Sequence, residues 1–142
     1  MTIKADSLET TVFRWMLAIS FIFLAGCTSL GADYRRSQLD DLTWAYTRAV
    51  EWSDFGTAHS ATKTDPGASA FDPSAYKDIK VTSYDLMGAR SLDNGKSVQR
   101  SVRISYVRLS DMAERKLNVE EEWVYSDAEK RWYLRSGFPV FK

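Results

Sequence analysis

The chain has 142 residues, with 19 lysines and arginines against 19 aspartates and glutamates, so its formal charge at neutral pH is zero. That balance argues against a nucleic-acid partner, because holding a phosphate backbone relies on a net basic surface. The single cysteine excludes a disulfide within the chain, and a length of this order corresponds to one small domain held together by core packing.

Lys4 and Arg14 precede the one long apolar run, Trp15–Ala25, which leads into Leu24-Ala25-Gly26-Cys27. A positive flank, an apolar stretch and small residues at its end have the layout of a secretory signal peptide. The run is shorter than the roughly 20 apolar residues that a permanent membrane helix needs. The four closing residues resemble the lipobox of bacterial lipoproteins, in which a Leu-type residue and two small residues precede cysteine. The resemblance implies cleavage before Cys27, residues 1–26 being the signal peptide, with a diacylglycerol on the Cys27 sulfur and a further acyl chain on the new N-terminus. It also implies that the membrane is a partner through this lipid. Thr28, rather than Asp, follows the cysteine, which by the same resemblance favours the periplasmic face of the outer membrane over the inner membrane. Each buried methylene contributes about 0.8 kcal/mol, so such an anchor does not detach.

Residues 27–39 are small and polar without a sustained apolar period and read as an irregular tether, in which Arg35 and Arg36 meet lipid headgroups or simply water. A helix is expected next. Leu42, Ala45, Tyr46, Ala49, Val50 and Ser53 fall on one side of a 3.6-residue wheel, and Ser37 or Asp40 is placed to cap the start. Trp44 and Phe55 lie off that stripe, so either the helix is covered on more than one side or these rings meet a partner. A second short helix, capped by Ser53 or Asp54, should reach about Thr62. The loop from Lys63 to Tyr76 carries turn signals at Asp65-Pro66-Gly67 and Asp72-Pro73-Ser74.

From Lys77 onward the apolar period changes to 2, which predicts a four-stranded antiparallel meander. The expected strands are Ile79 to Arg90, Lys96 to Leu109, Arg115 to Tyr125 and Arg131 to Ser136, the first two joined by the hairpin signal Asn94-Gly95. A bulge near Gly88 is needed to bring Tyr84 and Leu86 to the core in place of Ser83 and Asp85. A turn over Asp127–Lys130 sets Trp132 and Leu134 against Tyr125 and Trp123, and Glu122 against Arg135 on the other face. The fold class is therefore α+β: an N-terminal helix and a short second helix packed on a curved four-stranded antiparallel sheet.

Residues 40–142 resemble, in element order, small domains of the nuclear transport factor 2-like and cystatin-like kind. Phrases such as Ala49-Val50-Glu51-Trp52-Ser53-Asp54-Phe55, Ile79-Lys80-Val81-Thr82-Ser83-Tyr84 and Arg131-Trp132-Tyr133-Leu134 resemble ones in small proteobacterial lipoproteins. These phrases are structural, and no chemistry carries over with them.

Catalytic signals are absent from the sequence. His59 stands alone where a metal site needs several converging ligands, Cys27 is taken by the lipid, and neither a Gly-x-Ser-x-Gly elbow nor a Gly-rich phosphate loop occurs, so no metal or cofactor is expected. The distinctive pair is Arg100 with Glu121, both on the apolar parity of their strands, where a charge is costly unless paired. A hairpin centred near Asp111 and Met112 puts Arg100 opposite Trp123 and diagonal to Glu121; a shift of two residues puts the charges directly opposite. With Tyr84 and Trp123, the two are candidates for the floor of a pocket or for a structural ion pair. Two functions follow: a protein-binding or structural module of the cell envelope, with an envelope protein as partner, or a small-ligand carrier or pocket enzyme of the nuclear transport factor 2-like type. The second requires a cavity of about 300 Å³ or more over these residues.

Overall fold

The computed structural model describes residues 27–63 and 70–142, with side chains from residue 31 onward. The expected signal peptide, the lipobox-like residues before Cys27 and the expected turn at Asp65-Pro66-Gly67 lie outside the described residues. Contacts divide the chain into two units, Met1–Tyr34 and Arg35–Lys142, and the packing described below belongs to the second.

Helix α1 spans Cys27–Glu51. It starts well before Ser37, and the stretch expected to be an irregular tether is helical. Ala32, Arg35, Arg36 and Gln38 are good helix formers with no proline among them, so a helix nucleated by packing further on can propagate back through them. Leu39 is buried and extends the apolar stripe one turn before Leu42, and the Trp132 indole N–H donates to the Arg35 carbonyl at 2.8 Å. The face toward the sheet carries Leu39, Leu42, Tyr46, Ala49 and Val50, the expected stripe lengthened by one turn, except that Ala45, at its margin, is exposed.

The helix ends on a Schellman motif. Ser53 takes a left-handed φ of 61°, its N–H reaches the Val50 carbonyl at 2.9 Å, and the Asp54 N–H reaches back to Ala49 at 2.8 Å. Ser53, at a position that usually calls for glycine, also accepts the Val81 N–H on its hydroxyl at 2.9 Å and so ties the helix end to the first strand. Asp54 then caps α2, Phe55–His59, through the Thr57 N–H. This helix stops at His59 rather than Thr62, because Thr62 bridges Leu134 and the Ala61 carbonyl accepts the Leu134 N–H at 2.8 Å. A 3₁₀ turn over Pro73–Tyr76, capped by Asp72, occupies the second expected turn.

Strands β1 (Ile79–Leu92), β2 (Ser97–Arg108), β3 (Glu114–Ser126) and β4 (Arg131–Leu134) form an antiparallel sheet in the order β1-β2-β3-β4. The α+β class is as the sequence predicts: α1 and α2 pack on this sheet. Asp93, Asn94 and Gly95 all have positive φ in the β1–β2 turn, the geometry for which Asn-Gly is selected. Trp123 faces Leu134 and Tyr125 faces Trp132, also as expected.

Strand β1 carries two register shifts, Val81/Ser83 and Leu86/Gly88. Tyr84 is thereby buried and Asp85 turned to solvent, but Leu86 is 52 % exposed, contrary to the expectation that it joins the core. It faces Val102 on the core side of the sheet, yet β1 is an edge strand, and the covering Tyr46 ring reaches Tyr84, 6.4 Å between centroids, whereas from Asp85 to Leu92 all of β1 is exposed. The core centres on Trp123, Ile104, Leu134, Val50 and Val102. A second aromatic group gathers Phe55, Phe71, Tyr76, Phe138 and Phe141, and His59 stacks on Phe71 at 4.0 Å.

Replacing Ser53 separates its two tasks. Ser53→Ala leaves the buried Val81 N–H without an acceptor and keeps the left-handed strain, a loss of about 1–3 kcal/mol. Ser53→Gly loses the same bond but relieves the strain, so it should cost clearly less. Urea unfolding of both variants measures this, and equal losses would refute the assignment of strain to this position.

Candidate functional site

Glu121 is brought inside by the alternation of β3, and Arg100 by that of β2. The two stand directly opposite each other in the register, with Val98 opposite Trp123 and Val102 opposite Val119. Of the two registers open to the sequence, this is the one shifted by two residues; the arrangement with Arg100 opposite Trp123 does not occur. The loop Leu109–Ala113 accounts for the shift. Met112 takes a left-handed φ of 55°, its N–H bonds the Arg108 carbonyl at 2.7 Å, and Arg108 bonds Ala113, so the pairing closes on Arg108 and Ala113. Asp78, accepting from the Ser110 N–H and hydroxyl at 2.7 Å each, holds the same loop to the start of β1.

Glu121 is 1 % exposed. Its Oε1 accepts from the Tyr84 hydroxyl at 2.5 Å and its Oε2 from the Trp123 indole N–H at 3.0 Å. The Arg100 Nη1 lies 3.7 Å from Oε2, near enough for charge attraction and too far for a hydrogen bond, and this nitrogen has no hydrogen-bond partner. The Arg100 guanidinium sits over the Tyr84 ring at 5.9 Å. The four residues singled out in the sequence, Tyr84, Arg100, Glu121 and Trp123, are therefore one cluster.

A fifth member was not anticipated. Tyr46 of α1 sets its ring edge-on to Trp123 at 5.2 Å and to Tyr84 at 6.4 Å, and its hydroxyl is buried without a hydrogen-bond partner. The sequence signal was present in the polar tip on an otherwise apolar stripe, but the stripe could not say which strand residues it would meet. Tyr46, itself buried, covers Tyr84 and Trp123 from the helix side. Clefts of about 480, 410 and 320 Å³ occur elsewhere, and none is lined by Tyr84, Arg100, Glu121 or Trp123.

Burial dominates the electrostatics. It pushes the Glu121 carboxyl above its ordinary value, against the opposing pull of the Tyr84 and Trp123 hydrogen bonds and the Arg100 charge. The phenols of Tyr46 and Tyr84 are raised as well, first by burial and then by the charge of Glu121. The cluster is thus a carboxyl held by two donors and a nearby cation in a closed, aromatic setting. On the opposite face Glu122 and Arg135 form the expected exposed pair, bound through both guanidinium and carboxylate ends.

Trp44, left open as either covered or partner-facing, is 68 % exposed; Phe55, off the stripe in the same way, is buried. Trp52 is also 68 % exposed, and the Arg48 guanidinium lies between the two indoles, 5.8 Å from one and 5.0 Å from the other. Their spacing of four residues puts the three side chains one turn apart on the helix. Among the described residues no group of three or more metal-binding side chains converges, and no helix is long and apolar enough to cross a membrane. The side chain of Cys27 is outside the described set, although its backbone opens α1.

No family model matches the chain, and no match occurs among curated proteins or solved structures.

The direction of the Glu121 shift has a measurable sign. The folded carboxyl keeps its proton to higher pH than the unfolded one, so its contribution is fully present below the ordinary value of 4.5 and is lost as pH rises through the raised folded value. Glu121→Gln should flatten that part of the stability–pH curve, whereas Glu121→Ala and Arg100→Ala should each destabilise by about 2–4 kcal/mol, because a buried partner is left uncompensated. Thermal melts across acid to neutral pH test all three; unchanged melting temperatures would refute the pairing.

Proposed function

We propose that the chain is a lipoprotein, anchored through Cys27 on the periplasmic face of the outer membrane, whose α+β domain is a protein-binding module of the cell envelope. In this reading the domain is of the nuclear transport factor 2-like or cystatin-like kind. The anchor rests on the lipobox resemblance of Leu24-Ala25-Gly26-Cys27. The binding role rests on one observation: Tyr84, Arg100, Glu121 and Trp123 turn inward onto Tyr46, while Trp44 and Trp52 stand at the surface, each 68 % exposed. Recognition by such a domain uses its outside. Large aromatic side chains that stay exposed are the usual anchors of protein–protein contacts, and an arginine between them adds a directional charge.

Two measurements test this. Cells fed labelled palmitate should transfer the label to the wild-type chain and not to Cys27→Ala, which should also leave the membrane fraction. Photo-cross-linking from position 44 in intact cells should yield a discrete heavier adduct, and repeated absence of any adduct would sink the protein-binding role while leaving the anchor to stand or fall on the label.

A further inference from the structure

We propose that the exposed face of α1 binds a second copy of this chain, the two helices lying antiparallel across a two-fold axis at Trp44. The inference rests on the protein-binding reading of the same surface and names its partner. It starts from an arrangement of charges rather than from the aromatic rings alone. Arg36, Asp41, Trp44, Arg48 and Glu51 follow one another along the side of α1 away from the sheet, with Trp52 just past its end, and all are exposed except the half-buried Glu51. The spacing from Asp41 to Trp44 to Arg48 to Glu51 alternates three and four, which is that of a seam between two packed helices.

Within one copy these charges are poorly matched. Arg48 has only Glu51, at 3.9 Å, and neither Arg36 nor Asp41 takes part in an ion pair among the described residues. Between two copies they match. With the Trp44 side chains meeting at the axis of an antiparallel pair, Arg48 comes opposite Asp41 of the second copy along one flank. Glu51 comes opposite Arg36 of the second copy along the other. The two-fold axis repeats both contacts, giving four opposite-charge pairs around a central pair of indoles. A parallel arrangement would set the Arg48 and Asp41 flank against the Glu51 and Arg36 flank with opposite charges three and five residues out of step, whereas the antiparallel one brings them within one residue of level, so charge matching selects the antiparallel one. An isologous contact of this kind closes on itself and builds no filament.

Charge exchange provides the test. The full chain in detergent should give the mass of a two-chain particle by light scattering. Arg48→Asp and Asp41→Arg, each alone, place like charges opposite each other twice and should weaken self-association by about tenfold or more. An equimolar mixture of the two variants should restore it, because in the mixed pair the two exchanged charges face each other with opposite signs and the symmetry-related contact is native. Recovery on mixing also shows that both variants are folded. A monomeric wild type, a dimer indifferent to both substitutions, or a mixture that stays monomeric would each overturn the proposal. If adducts to another envelope protein form from position 44 while the chain stays monomeric, the binding module survives and its self-pairing does not.

Discussion

A carboxyl group with almost no access to water has to find its partners inside, and Glu121 finds them on three strands and under one helix. Its oxygens accept from Tyr84 on β1 and from Trp123 beside it on β3, and Arg100 on β2 stands across the strand pair. Sliding β3 by one residue would turn Glu121 out and bring Glu120 or Glu122 in without those donors. A buried ion pair adds little net stability over an apolar filling of the same shape, because desolvation offsets attraction. Its effect here is on register: the donors sit where one alignment of β1, β2 and β3 satisfies the carboxyl. The edge contacts of Tyr46 with Tyr84 and Trp123 then close the cluster and orient α1 over the sheet.

The other end of the domain is held by different means. Ser53 turns the chain at the end of α1 and accepts from β1, so one side chain both ends a helix and starts a strand in the right place. Beyond it Phe55, Tyr76, Phe138 and Phe141 pack with tilted and edge-to-face rings, and the Tyr106 hydroxyl bonds the Lys142 backbone at 2.6 Å. In a chain whose one cysteine cannot form an internal disulfide, these rings take the place of a covalent staple by burying large apolar area at low side-chain entropy cost.

The surfaces of the domain differ in kind. The β4 edge is bridged by Thr62, while β1 leaves a longer edge open with Leu86 and Met87 exposed. The bulge between Leu86 and Gly88 interrupts that edge, a common guard against unintended strand pairing. The outer face of α1 has no such guard. It carries two indoles with an arginine between them and acids within a turn or two.

Much of this architecture is written locally. Period-two alternation, the Asn94-Gly95 turn and the stripe from Leu42 to Val50 determined element types, strand order and class, because each depends on neighbours a few residues apart. The same alternation placed Arg100 and Glu121 inside. What the chain alone left open was decided at a distance. The β2–β3 register came from the left-handed Met112 and the Asp78 clamp, the exposure of Leu86 from the limited reach of Tyr46, and the early start of α1 from Leu39 and Trp132 packing, which lets good helix formers without an apolar period of their own become helical. Turn closure, edge position and helix extension are tertiary quantities: each is set by residues remote in sequence whose contact energies exceed the small local preferences they override.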